Sequence, residues 1–170
     1  ELNREEKELV RSFNLITAKP VMYVCNVDEA SVQSGNHFVD AVRSAVQDEG
    51  AEVLVIGAKI EADITELETY EERQMFLDEL NLEEPGVNRL IRSAYALLNL
   101  QTYFTAGEKE VRAWTIKEGM SAPQAAGVIH TDFEKGFIRA EVMKYDDFTS
   151  LGSEQAVKES GKFKVEGKEY

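Results

Sequence analysis

One cysteine, two histidines and three prolines in 170 residues leave several classes of protein without their materials. Cys25 has no partner for an internal disulfide, which excludes a disulfide-stapled secreted scaffold and makes the cytoplasm the expected location. His37 and His130 lie far from each other and from Cys25, so no zinc set is expected. No serine or cysteine is placed to complete a triad with either histidine, and no catalytic residue is expected here. Apolar runs stay short of the ~18 residues of a membrane span, so no membrane partner is expected. The phosphate-cradling pattern G-x-x-x-x-G-K-[ST] is missing: Gly161-Lys162 and Gly167-Lys168 are followed by Phe163 and Glu169. No D-x-x-G occurs either.

Positive charge is also scarce, with 19 Lys and Arg against 32 Asp and Glu, a net charge of -13. Bulk charge therefore argues against a chain that coats nucleic acid. The imbalance is uneven: residues 1 to 100 hold 20 acids against 9 bases, and residues 101 to 170 hold 12 against 10. Such a split suits two parts that meet different partners. Apolar residues make up 43% of the chain, enough for one substantial core or two small ones.

The most informative stretch is PVMYVCNVDE, Pro20 to Glu29, where an apolar run stops at an amide and two carboxylates. Val21 to Cys25 is continuous rather than alternating, which predicts a strand covered on both faces in a parallel sheet. Ligands of such sheets bind beyond the carboxyl ends of the strands, where Asn26, Val27, Asp28 and Glu29 stand. The competing reading is a turn and helix cap after a strand.

The charged opening ELNREEKELVRSF reads as the middle of a helical pattern, so residues 1 to 15 are predicted helical and the chain is expected to be a piece of a longer protein. Asn36 is the predicted N-cap of a helix to about Asp48, with Phe38, Val42, Ala45 and Val46 facing inward. Glu52 to Ile56 reads as a second buried strand, completing a βαβ unit with a small-residue loop, Gly57-Ala58-Lys59, at its exit. An acidic helix is predicted from Thr65 to Leu80, with Leu67, Tyr70, Met75, Phe76 and Leu77 inside. Another is predicted from Asn88 to Leu98, after Pro85-Gly86. From Gln101 the pattern is shorter-ranged. QTYFTA and EVRAWTI flank Gly107-Glu108-Lys109 as a hairpin. A helix over 122 to 129 and strands over 137 to 143 and 162 to 170 follow. The expected core is Phe104, Trp114, Ile116, Ile129, Phe137 and Ile138. The fold class read from this is an α/β part with parallel strands plus a small α+β module.

Four segments, NLITAKPVMYVCNVDE, GAKIEADITELE, LIRSAYALLNLQTYFTAGEKEVRAWTI and IHTDFEKGFIRAEVMKYDDF, resemble the C-terminal half of the YchF family, the Obg-like ATPases. The resemblance covers almost the whole chain. It implies that residues 1 to 18 end an inserted helical segment and that 19 to 99 are the C-terminal part of a P-loop NTPase (G-type) domain. It makes 101 to 170 a TGS module of β-grasp fold that stops before its last strand. It further implies a ribosome-associated nucleoside triphosphatase that prefers ATP to GTP. In that family Asn-x-x-Glu stands where ordinary GTPases carry Asn-Lys-x-Asp. Carried over, Asn26 braces the loops, Val27 lies against the base and Glu29 replaces the guanine-reading Asp. Ala58 and Lys59 match the second base-side loop, with Gly57 where the family carries Ser or another small residue. The cofactor implied is ATP (or GTP), with Mg2+ held by parts of the protein outside this chain, so the chain alone is expected to be inactive.

Lys158, Lys162 and Lys164, with Lys168, are read as a stripe facing RNA or ribosome phosphates, against the alternative of ordinary soluble surface. Asp28-Glu29 and Asp146-Asp147 lack the spaced oxygens of a calcium loop, and no metal ligand is expected. Cys25 and Trp114 are read as packing residues. Two functions of different class follow. One is part of an ATPase whose nucleotide state controls ribosome binding. The other is a non-catalytic RNA- or protein-binding module with a vestigial nucleotide pocket. A monomer is expected.

Overall fold

The computed structural model describes residues 3, 6, 9, 10, 12–107 and 109–170. Most of the expected N-terminal helix falls outside these, although Glu6, Leu9, Val10 and Ser12 are helical. The chain divides into two compact units, Glu1–Leu98 and Asn99–Tyr170. Asn99 takes φ 50°, a left-handed conformation that Asn tolerates better than most residues, and it links the last helix of one unit to the first strand of the next.

The first unit is built on two parallel strands, β1 (Tyr23–Asn26) and β2 (Val53–Ile56), in the register Tyr23↔Val53 to Asn26↔Ile56. Helix α1 (His37–Ala45) lies between them in sequence, and Asn36 caps it by accepting from the amides of Phe38 and Val39. A short 3-10 turn, Gln47–Glu49, ends at left-handed Gly50 and leads to β2. Three helices follow: α2 (Ala58–Glu66), α3 (Tyr70–Glu79) and α4 (Gly86–Leu97). The core between them is Val32, Ile60, Ile64 and Leu77, with Val27, Phe76, Leu80 and Leu82 packed against it. Each such side chain taken from water contributes about 1.5–3 kcal/mol.

Several expectations are corrected here. Among the described residues β1 is not covered on both faces: Val24 is 42% exposed on one while Tyr23 and Cys25 are half-buried on the other. In α1 Val42 is half-buried and Val46, just past its end, is buried as expected, but Val39 is the most buried residue and Phe38 and Ala45 are exposed. The Asn36 cap stands where it was expected, but the face that packs inward is the one carrying Val39, which leaves Phe38 in water. The single acidic helix is two, broken at Leu67-Glu68 and restarted by a capping box in which Thr69 and Glu72 exchange side-chain to backbone hydrogen bonds. That restart leaves Leu77 buried while Tyr70 and Met75 are exposed.

The second unit holds two antiparallel pairs. β3 (Leu100–Ala106) pairs with β4 (Val111–Lys117), and β5 (Ala140–Val142) pairs with β6 (Lys164–Glu166). Among the described residues these remain separate two-stranded sheets. Helix α5 (Ala122–Ile129) starts at Ser121, whose amide donates to Gln124 Oε1, and carries Pro123 in its first turn. Three short helices complete the unit: α6 (Thr131–Lys135), α7 (Tyr145–Leu151) and α8 (Glu154–Glu159). Among its described residues Ile116 and Val157 are the buried apolar ones. Phe104 and Ile138, expected in the core, are 51% and 79% exposed. The strand expected over 137 to 143 shrinks to three residues, since α6 runs to Lys135 and its capping turns take the amides of Gly136 and Phe137.

Candidate base-side site at the strand exits

Parallel pairing puts the carboxyl ends of β1 and β2 at one edge, and a side chain joins them. Asn26 ends β1 and is exposed; its Oδ1 accepts from the Ala58 amide at 2.8 Å. The next amide, that of Val27, donates to the Ile56 carbonyl at 2.9 Å, so the ladder runs one residue past the strands. Val27 is therefore half-buried, its side chain on the core, and its carbonyl is the main-chain polar group it has left to offer. Asp28 caps a 3-10 turn, Glu29–Ser31, by accepting from the Ser31 amide at 3.0 Å. Glu29 is the first residue of that turn and is exposed.

The exit of β2 differs from the expected loop. Ala58 and Lys59 are the first residues of α2, and buried Gly57 is its N-cap. Glycine suits this position because a Cβ there would stand 3.0 Å from Ile60 Cδ1 and 3.5 Å from Val32 Cγ2, within the packed core. The Ala58 amide is committed to Asn26. The Lys59 amide precedes the first helical bond, Glu61 N–H to the Gly57 carbonyl at 3.0 Å, and belongs to the unpaired first turn of a helix. The structure thus brings Asn26 and Ala58 into contact. Among the described residues no hydrogen bond ties Glu29 or Lys59 to them, and both side chains face water.

What holds this edge in place was not legible in the sequence. Helix α4 starts at Gly86 with Pro85 before it and no side-chain cap of its own. Glu61 of α2 supplies the cap, its Oε1 accepting from the Gly86 amide at 2.7 Å and its Oε2 from the Val87 amide at 3.2 Å. Arg89 donates to the Val55 carbonyl at 2.7 Å, and Ser93 to Glu52 at 2.8 Å. These bonds lash α4 to β2 and to the helix that begins with Ala58. The available signal was a Pro-Gly helix start lacking Ser, Thr, Asp or Asn. A cleft of about 510 Å³ between α2, α3 and the start of α4 is lined by Glu61, Tyr70, Arg73 and Val87 among others. It includes none of Asn26, Val27, Glu29, Ala58 or Lys59 and is separate from the strand exits.

The lysines of the second unit are differently placed. Lys158 Nζ lies 2.5 Å from Glu154 Oε1 and over the ring of Phe163 at 4.4 Å. The bond to Glu154 raises its pKa. Lys162 Nζ lies 2.6 Å from Asp147 Oδ1. Lys164 is exposed on β6. Two of the three lysines are thus already met by carboxylates. Among the described residues no group of three His, Cys, Asp or Glu is arranged to hold a metal, and no helix is long and apolar enough to cross a membrane.

A βαβ unit with a bridged strand edge, joined to a smaller sheet-bearing unit, places the chain among mixed α/β proteins. Comparison with known proteins identifies which. Residues 100–170 match the family model YchF-GTPase_C, described as a protein of unknown function (DUF933). The Ribosome-binding ATPase YchF of Haemophilus influenzae is 54% identical over 169 residues, 99% of this chain and 46% of that protein. The protein of the same name from Bacillus subtilis is 53% identical over 172 residues, covering 100% and 47%. The structure of the Schizosaccharomyces pombe YchF GTPase matches with a TM-score of 0.86 at 38% identity, covering 100% of this chain and 45% of that one. The chain belongs to the YchF family. It corresponds to the C-terminal part of these proteins and spans about half the length of the curated relatives it matches.

Proposed function

We propose that this chain supplies the base-reading edge of a nucleotide pocket in a ribosome-associated nucleoside triphosphatase, together with a TGS-type module that meets RNA or the ribosome. In this reading residues 19 to 99 are the C-terminal part of a G-type P-loop domain and 101 to 170 the TGS module. The observation that carries it is the 2.8 Å bond from the Ala58 amide to Asn26, which fixes two strand exits to each other beside an exposed carboxylate, Glu29. The residues fit a purine base: Glu29 offers an acceptor to an exocyclic amine, and the Val27 carbonyl offers another. Adenine presents an acceptor at N1 and a donor at N6, whereas guanine presents two adjacent donors to a short carboxylate, so Glu29 in place of Asp favours ATP. ATP supplies the phosphoryl group, and Mg2+ and the phosphates are held by residues outside this chain, which carries no phosphate-cradling motif. The relatives' names, with no disulfide available to the single Cys25, support a cytoplasmic ribosome partner.

Calorimetry of the intact protein with ATP and with GTP tests this. ATP is expected to bind more tightly, Asn26→Ala to weaken both, and Glu29→Asp to move the preference toward GTP. A parent protein favouring GTP by about tenfold, roughly 1.4 kcal/mol, overturns the adenine reading.

A further inference from the structure

We infer that the open face of the β3–β4 hairpin, led by the stacked rings of Phe104 and Tyr145, binds unpaired RNA by base stacking. This rests on reading the second unit as a module that meets RNA. Side chains alternate along a strand, so the register Leu100↔Lys117, Thr102↔Thr115, Phe104↔Ala113 and Ala106↔Val111 sets those eight on one face. Gln101, Tyr103, Thr105, Arg112, Trp114 and Ile116 share the other, which is covered in part: Ile116 is buried, Tyr103, Thr105 and Trp114 are half-buried, and the Tyr103 hydroxyl donates to the Ala125 carbonyl of α5. Arg112, itself exposed, lies over Trp114 on that side, and Trp114 Nε1 donates to Thr105.

The first face is different. Seven of its eight residues are exposed, with Phe104 at 51% and Val111 at 70%. Tyr145, the first residue of α7, is 63% exposed and stacks on Phe104 with ring centroids 5.5 Å apart and planes 27° from parallel. Two offset rings open to water form a platform on which a further flat ring can continue the stack. In a chain with 32 acidic residues the strand residues of this face carry no carboxylate, although exposed Asp146 directly follows Tyr145. One of the eight is Lys117, and Lys144 directly precedes Tyr145. Asp147, two positions beyond Tyr145, is met by Lys162. Thr102 and Thr115 place hydroxyl side chains beside the rings on the same face. Unpaired RNA, whose bases splay onto aromatic side chains, fits this combination better than a duplex, which hides its base faces.

The test uses the intact protein with a fluorescein-labelled oligouridylate in an anisotropy titration, and the same strand annealed to oligoadenylate. Parent protein is expected to prefer the single strand. Phe104→Leu and Tyr145→Leu keep apolar bulk but lose a ring, and each is expected to weaken binding about five- to 150-fold, whereas Tyr145→Phe stays near parent. Ultraviolet cross-linking should attach RNA to the peptides carrying Phe104 and Tyr145, which needs no variant to fold. Undiminished affinity in both Leu variants, with cross-links elsewhere, overturns the stack. If Lys158→Ala and Lys162→Ala then abolish binding, the RNA reading survives without it. Tighter binding of the duplex also overturns it. Parent protein that binds neither probe removes both the stack and the RNA reading, and leaves the ATP calorimetry to decide the base site.

Discussion

Replacing Glu61 with Ala removes the cap of a helix in another part of the sequence. Its carboxylate meets two of the four amides at the start of α4 that have no helical acceptor. The Gly86 bond is short and its residue is buried, so it belongs to the class of hydrogen bonds to charged groups, about 1.5–3 kcal/mol. The Val87 bond is longer and Val87 is 43% exposed, so water replaces it at little cost. A negative charge at a helix N-terminus adds about 0.3–1 kcal/mol. Together Glu61→Ala is expected to cost about 2–4 kcal/mol locally. Glu61→Gln keeps one carbonyl acceptor and is expected to cost about 1 kcal/mol. Arg89 and Ser93 still hold the body of α4, so the loss concentrates in the first turn. Hydrogen exchange read by mass spectrometry on peptides covering 84 to 97 gives the local value, and urea unfolding followed by far-ultraviolet circular dichroism the global one. Gly86→Ala should mimic the effect, because its Cβ would stand 2.8 Å from Glu61 Oε1 and 3.0 Å from Ile56 Cγ2. Unchanged exchange of the first α4 amides in Glu61→Ala, or equal costs for Ala and Gln, would refute the reasoning.

The 170-residue chain alone is expected to release no phosphate from ATP above a buffer blank, since positioning phosphates and metal is most of phosphoryl transfer and the chain carries no phosphate-cradling motif. Release that survives Asn26→Ala would point to a different site. Glu72 is held below its ordinary pKa by the backbone and hydroxyl of Thr69, and Glu84 by Arg92. Carboxylates depressed in the folded state lend stability that is complete above their unfolded pKa and lost as pH falls through the folded one. Acid unfolding of the first unit should therefore flatten in Glu72→Gln and Glu84→Gln, and NMR titration of the two carboxyls checks the direction. Ribosome pelleting across a salt series should show only a shallow slope from Lys158 and Lys162, because each is already paired. Lys164→Ala should account for about one phosphate contact, 0.7 to 0.9 in log affinity against log salt.

Local chemistry by itself determined much of this protein. Asn36 before an apolar-periodic run named a helix start to the residue, because a cap is a bond within three residues. The run Tyr23 to Asn26 and the run Val53 to Ile56 were legible as strands, and a helix between them made parallel pairing the economical arrangement. Asn26 and Ala58 were both named as site residues, but that one's side chain takes the other's amide, 32 positions away, is a tertiary fact. The same holds for Glu61. Nothing local to it speaks of Gly86 or of the helix it caps, since the partner amides are 25 and 26 residues on. Which apolar residues are buried was likewise decided in three dimensions. Phe104, Phe38 and Ile138 have the hydrophobicity of core residues, and hydrophobicity is non-directional. Tertiary packing, in which α5 lies against one side of the β3–β4 pair and α1 turns its Val39 face inward, determined that Val39 and Ile116 went inside and Phe104, Phe38 and Ile138 did not.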